Sequence, residues 1–284
     1  MTDLYSFATK EERLAYLKDN KKLIMTEKKA SFKKADAISG FIGLAGASGK
    51  LYSSKADMQS AEGEMTKDIQ VKLVINSCLL MDSHMDVHIP KLWNKSVKEG
   101  KYNIHLQEHE MEFEKVIADA EDVVVSIENI AWSKLGMPYD GKTECLVYTS
   151  TIKPDRNEFM YGQYAKGYVR QHSVGMRYVT VLLCVNSEEK YWIDEKANWD
   201  KYYPMVVNKE MADECGCFYA VTEAKNIEGS AVVLGSNCAT PTMSMQEIPE
   251  PSTDTQKHIE DSRQPDTIDI EKIANYLQTN KLQE

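Results

Sequence analysis

Apolar positions change their spacing several times along the chain, and each change marks an element. Leu14, Leu17 and Leu23-Ile24 recur at helical spacing behind Thr9-Lys10-Glu11-Glu12, which has capping-box spacing. A helix is therefore predicted from about Lys10 to Ala30, with its many lysines on a solvated face. Residues 36 to 65 are rich in Gly, Ser and Ala and lack apolar period, so they read as a flexible connector; AGASGKLY within them misses the full spacing of a phosphate loop. From Ile69 the pattern becomes strand-like: IQVKLVINSCLLM, DVVVSIENIAW and KTECLVYTSTI are each predicted strands. Between the first two, a turn-like MDSHMD precedes a short helix from Pro90 to Glu99 that buries Leu92, Trp93 and Val97 and stops at Gly100. In YNIHLQEHE, Tyr102, Ile104 and Leu106 alternate as a strand would. Asp155, with Glu158 three residues on, is predicted to open a helix carrying Met160, Tyr164 and Tyr168. That helix leads to YAKGYVRQHSVGMRYVTVLLCVN, where a helix-like pattern ends at His172 and an apolar run begins just after Ser173. The polar, aromatic stretch 187 to 216 is an insertion that the pattern does not assign. CFYAVTEAKNIEGSAVVLGSNCATPT reads as a closing strand pair or one long bent strand.

Composition adds the class of the protein. With 284 residues and 42% hydrophobic content the chain can build one substantial core. The expected division is a helix and connector over 1–65, a strand-rich domain over 66–240, and an acidic tail over 241–284. In that tail, Pro241 to Thr267 has the composition of a disordered linker, and Ile268, Ile270, Ile273 and Leu277 suggest a last short helix. A formal net charge of -10 argues against a nucleic-acid binder. No apolar run reaches the length of a membrane span and the first residues lack a signal-peptide pattern, so a soluble, cytoplasmic protein without membrane association is expected. The six cysteines are scattered, as expected for small buried thiols in a reducing compartment.

A serine where a helical pattern gives way to a strand can present its hydroxyl while the strand holds its backbone, which makes Ser173 a candidate nucleophile. Six histidines are available as its base: His84, His88, His105, His109, His172 and His258. His258 lies in the expected linker, and His172 adjoins Ser173, so along a strand the two point to opposite faces. His105-Leu-Gln-Glu-His109 is formally an HxxEH zinc string, and His84 with His88 repeats the spacing. Both need a helix. Pro90 and the turn around Ser83 interrupt the second pair, and on a strand His105 and His109 would lie roughly 13 Å apart, too far for one metal. Structural or surface roles stay open beside a general-base role, to which an ordinary imidazole is suited near neutral pH. A third member could come from Glu223 or Glu228 in the last apolar run. Five residues apart in an unbulged strand they would face opposite sides, and Gly229, Ser230 and Ala231 after Glu228 leave room for a ring. Equally, both could be solvent-face carboxylates.

Four blocks, in order over roughly residues 69 to 241, resemble the prohead, or capsid-maturation, serine proteases of tailed phages, which are related in fold to herpesvirus assemblins. They are MDSHMDVHIPKLWNKSVKE, HLQEHE, KGYVRQHSVGMRYV and VTEAKNIEGSAVVLGSNCATP. The resemblance implies an α+β, mainly β fold: an assemblin-like β-barrel flanked by helices. It puts the nucleophile on Ser173, the base on His109 and the third member on Glu228, with Glu223 the alternative. Oxyanion donors would be the backbone N–H groups around Val174 and Gly175, with the Asn237 amide a second source. It implies no metal or organic cofactor. The implied substrates are the scaffolding protein and the scaffold-like extension of the major capsid protein, cut inside the immature head in the bacterial host cytoplasm. Self-cleavage and a homodimer or higher oligomer are further implications. The rival expectations are an assembly or scaffold module that keeps the fold without turnover, and a zinc peptidase using the HLQEH string. This chain departs from the family pattern in the 55 residues separating Ser173 from Glu228 and in the polar lead before His109.

Overall fold

A computed structural model describes residues 4–30, 32, 67–100 and 103–248. The expected connector over 36–65, the 249–267 part of the linker, the C-terminal helix and His258 lie outside these residues. The described residues belong to one compact unit, Met1–Ile248. They contain more strand than helix, and none of their helices is long and apolar enough to cross a membrane.

The strands form two sheets, and the expected closed barrel is not present among the described residues. One sheet is antiparallel, in the order β5 (Val123–Ala131), β6 (Lys142–Ile152), β1 (Ile69–Ser77) and β9 (Thr242–Glu247). The other is built on β8 (Cys217–Val232), whose sixteen residues give it room for two short parallel partners on one edge. β2 (Asp86–His88) pairs with Tyr219 to Val221, and β3 (Ile104–Gln107) pairs with Glu228 to Ala231 and carries β4 (Val116–Ala118) on its far side. β7 (Gln171–Val185) runs antiparallel along the other edge of β8. The closing run is thus one long strand, not a strand pair, and β9 follows it inside the stretch that composition assigned to the linker.

Side chains alternate across this second sheet, so register decides the role of each residue. Gly229 backs onto the Tyr148 and Ile75 side chains of the first sheet. His105 and Gly229 are paired, as are His172 and Ala231, so both imidazoles point between the sheets. Ser173 and Gly175 pair with Ser230 and Glu228, and these four face the opposite way. One step on, Met176 pairs with Asn226, which leaves Ile227 as an extra residue. β8 is therefore bulged, and the face count that separated Glu223 from Glu228 does not carry across it.

Helix α1 (Lys10–Ala30) begins where predicted, with Thr9 Oγ1 accepting the Glu12 N–H at 3.1 Å. It is not an appendage with a wholly solvated set of cations. Arg13 is buried and donates to the carbonyls of Leu4 and Cys215 at 2.7 and 2.9 Å. Lys28 is buried too, pairing with Asp86 on β2 and lying over the Tyr219 ring. Tyr178 donates to the other Asp86 oxygen at 2.7 Å. These contacts, led by the Lys28 charge, hold the Asp86 carboxyl below its usual range against the pull of burial.

The remaining helices adjust the sequence reading. α2 (Asn94–Glu99) ends on Gly100 in the left-handed region, as its stop signal predicted. α3 (Glu158–Ala165) is capped by Asn157, whose side chain accepts the Met160 N–H, instead of by Asp155. It also ends before Tyr168, which is exposed. The unassigned insertion supplies α4 (Ile193–Tyr202) and α5 (Lys209–Cys215), with Trp192 and Trp199 buried in the main core. None of the six cysteines is in a disulfide, and all but Cys238 are buried.

Candidate functional site

His109 does not continue β3. Glu108 keeps the pairing one residue further by donating its N–H to the Ala231 carbonyl at 2.9 Å; the chain then turns, with Glu110 N–H bonded to the Gln107 carbonyl at 3.0 Å. Both central residues of that turn, Glu108 and His109, have positive φ of 53° and 61°. Non-glycine residues pay roughly 1–2 kcal/mol each for this conformation, so the neighbouring structure must hold it. Ser230 does so in part, its hydroxyl accepting the His109 N–H at 3.1 Å.

The turn delivers the imidazole to Glu228. His109 Nδ1 lies 2.5 Å from Glu228 Oε1, and Ser230 Oγ donates to Oε2 at 2.6 Å. An ionised carboxylate only accepts, so the proton of a neutral His109 sits on Nδ1 and the lone pair on Nε2. That Nε2 is buried without a hydrogen-bond partner. The same is true of Ser173 Oγ, on the strand residue directly across from Ser230. Buried polar atoms normally find partners, so two orphans of complementary chemistry on one side of the sheet stand out. A hydroxyl and an Nε2 lone pair are the donor and acceptor of a nucleophile and its base, but the two are not bonded to each other in this state.

Gly175, expected only as a source of a backbone N–H, also has a steric role. A Cβ placed there would fall 1.8 Å from Glu228 Oε1, and 2.7 Å from the ring of Phe32. The missing side chain leaves the space over Gly175 that the Glu228 carboxylate occupies where it meets His109 Nδ1. Phe32, just past α1, lies against the same spot. Ser173, His109 and Glu228 are 3%, 2% and 1% exposed, so in this state the three groups are closed off from solvent.

The other candidates are placed elsewhere. Glu223 faces α2 and pairs with Lys95 at 3.3 Å, remaining a third exposed. Asn237 donates to the Ser77 carbonyl at 2.9 Å and accepts from Ser77 Oγ and the Ala239 N–H. Its carboxamide is thus tied into the loop after β8. Val174 and Gly175 lie in the β7–β8 ladder opposite Gly229 and Glu228. Alternate N–H groups of an antiparallel strand point away from the partner, so one of the two can face an oxyanion and the other serves the ladder. Ser173 itself is the third residue of β7 and not a helix-to-strand junction, since α3 ends at Ala165.

Behind the sheet, His105 and His172 form a different arrangement. His172 Nδ1 donates to the Thr240 carbonyl at 3.1 Å, so its Nε2 accepts from the Tyr164 hydroxyl at 2.9 Å. Tyr164 then accepts from His105 Nε2 at 3.0 Å, and His105 Nδ1 accepts from Ser150 at 3.0 Å. With both rings neutral, each polar atom of the two is satisfied. Burial pushes His172 down to about 4 and His105 well below its ordinary value. His105 therefore has no nitrogen to offer a metal beside His109, and no group of three potential ligands gathers among the described residues.

His109, Ser173 and Glu228 came from the sequence; Ser230 did not enter as a functional residue. Its signal was present, because residues i and i+2 of a strand share a face and a hydroxyl beside a buried carboxylate is a natural donor. No family model matches the chain, and no curated protein or solved structure matches it.

Proposed function

We propose that the chain is a serine endopeptidase in which Ser173 is the nucleophile, His109 the general base and Glu228 the residue that orients and stabilises the imidazolium. The observation that carries this reading is the His109–Glu228 pair, which fixes the tautomer and leaves a lone pair at Nε2, while a serine hydroxyl without a partner lies on the same face of the sheet as Glu228; the two atoms are not hydrogen-bonded to each other in this state. Ser173 Oγ attacks the peptide carbonyl and its proton passes to His109 Nε2. The oxyanion is met by a strand N–H at Val174 or Gly175. Collapse returns the proton to the leaving amine, and water, deprotonated by His109, releases the acyl group. The relationship to prohead proteases and assemblins rests on the four sequence blocks; the body is mixed and strand-rich, with no closed barrel among the described residues. On that relationship the substrates are scaffolding protein and the capsid-protein extension, cut inside the immature head in the host cytoplasm, with self-cleavage included. Co-expression of Ser173→Ala with capsid and scaffold proteins should give a folded protein and uncut scaffold, and normal processing by that variant would sink the assignment.

The burial of all three groups favours a second reading, an assembly module that keeps the fold without turnover. His109→Ala separates the two: an assembly module should tolerate it in particle maturation, and a protease should not.

A further inference from the structure

The Ser230 side chain bonds both the carboxylate of Glu228 and the backbone of His109. Its hydroxyl has a single proton, which goes to Glu228 Oε2, and its lone pair takes the N–H of a left-handed residue. It is fully buried. The other Glu228 oxygen is bonded to His109 Nδ1, and Gly175 leaves room for that carboxylate. Without Ser230 the carboxylate would be free to rotate about its terminal torsion, which is a soft one. The His109 turn would also lose a bond that offsets its strained backbone.

We propose that Ser230 is a positioning residue of this site, setting the plane of the Glu228 carboxylate and the position of His109 together, so that Nε2 is presented to Ser173. The role in catalysis rests on the serine-protease reading, but the positioning itself does not, and the test separates them. In full-length protein carrying ¹⁵N-labelled histidine, the His109 Nδ1 proton should resonate far downfield because of its short bond to Glu228, and His109→Asn identifies the signal. Ser230→Ala should move that signal upfield or lose it to exchange, and Ser230→Cys, which keeps a weaker donor, should fall between. A resonance unchanged in the folded variants would overturn the proposal. In parallel, the rate at which a phosphonofluoridate labels Ser173 should drop about ten- to a hundredfold in Ser230→Ala, the scale of one lost hydrogen bond to a charged group. In a Glu228→Gln background the same change should cost far less, because the two act as a unit. Equal losses in both backgrounds would mean a merely structural serine and would also overturn it. Should wild-type protein take no label while the proton signal still depends on Ser230, the protease reading fails and the positioning stands.

Discussion

Replacing Gly175 by alanine adds one methyl group at the most crowded point of the site. The backbone there is ordinary strand, so the effect is steric. The new Cβ would sit 1.8 Å from Glu228 Oε1, 2.6 Å from its Cδ and 2.7 Å from the Phe32 ring. Real Cβ contacts need about 3.0 Å, so Oε1 must retreat by at least 1.2 Å, the difference from 1.8 Å. It is not free to do so, being held at 2.5 Å by His109 and, through its partner oxygen, at 2.6 Å by Ser230. Either the ladder opens around residue 175, at about 1–3 kcal/mol for overpacking, or the carboxylate leaves His109, at about 3–5 kcal/mol for a buried charge without its partner. A misplacement of about 1 Å costs on the order of 10²-fold in a positioned reaction. Gly175→Ala should therefore lower phosphonofluoridate labelling of Ser173 by that factor or more and shift urea unfolding to lower denaturant. Gly229→Ala is the matched control: its Cβ meets Tyr148 at 2.7 Å on the other face, so it should destabilise without a comparable loss of labelling. Labelling and stability both at the wild-type level in Gly175→Ala would refute the reasoning.

Other expectations follow from the buried polar groups. Tyr164→Phe leaves His105 Nε2–H and His172 Nε2 unpaired between the sheets, which should cost about 1–3 kcal/mol per orphaned group in urea unfolding. Because His172 titrates at about 4 when folded and near 6.5 unfolded, the unfolded chain binds the extra proton between these values. Stability should thus be complete above about pH 6.5 and fall by about 3 kcal/mol as pH drops towards 4. His105 adds to it with the same sign, and His172→Gln should flatten the slope. Lys28→Met strands the Asp86 carboxylate and should destabilise by about 3–5 kcal/mol, whereas a surface lysine would cost almost nothing.

Local signals in this chain were legible where one feature decides an element. The Thr9 cap opens α1, Gly100 closes α2, and β6 spans the predicted KTECLVYTSTI. The reading that His172 could not serve Ser173 also matched the geometry, since the two face opposite sides of β7. Long-range pairing was not legible. That β8 would take β2 and β3 in parallel on one edge, in place of closing a barrel, depends on contacts that no local period encodes. The bulge at Ile227 defeated a face count that assumed an even strand. Two consecutive left-handed residues at Glu108 and His109 carry no glycine or asparagine to announce them, because tertiary bonds hold that turn. Lys28 looked like one more solvated lysine until Asp86, 58 residues away, was placed beside it.

The most direct test of the central claim is intact-mass analysis of full-length protein incubated with a phosphonofluoridate, run on wild type, Ser173→Ala, His109→Asn and Phe32→Ala. Wild type should carry a single adduct on Ser173, Ser173→Ala none, and His109→Asn should label far more slowly. Phe32→Ala, which uncovers the space over Gly175, should label faster than wild type. No adduct in wild type or Phe32→Ala, or an adduct that persists in Ser173→Ala, would contradict the central claim.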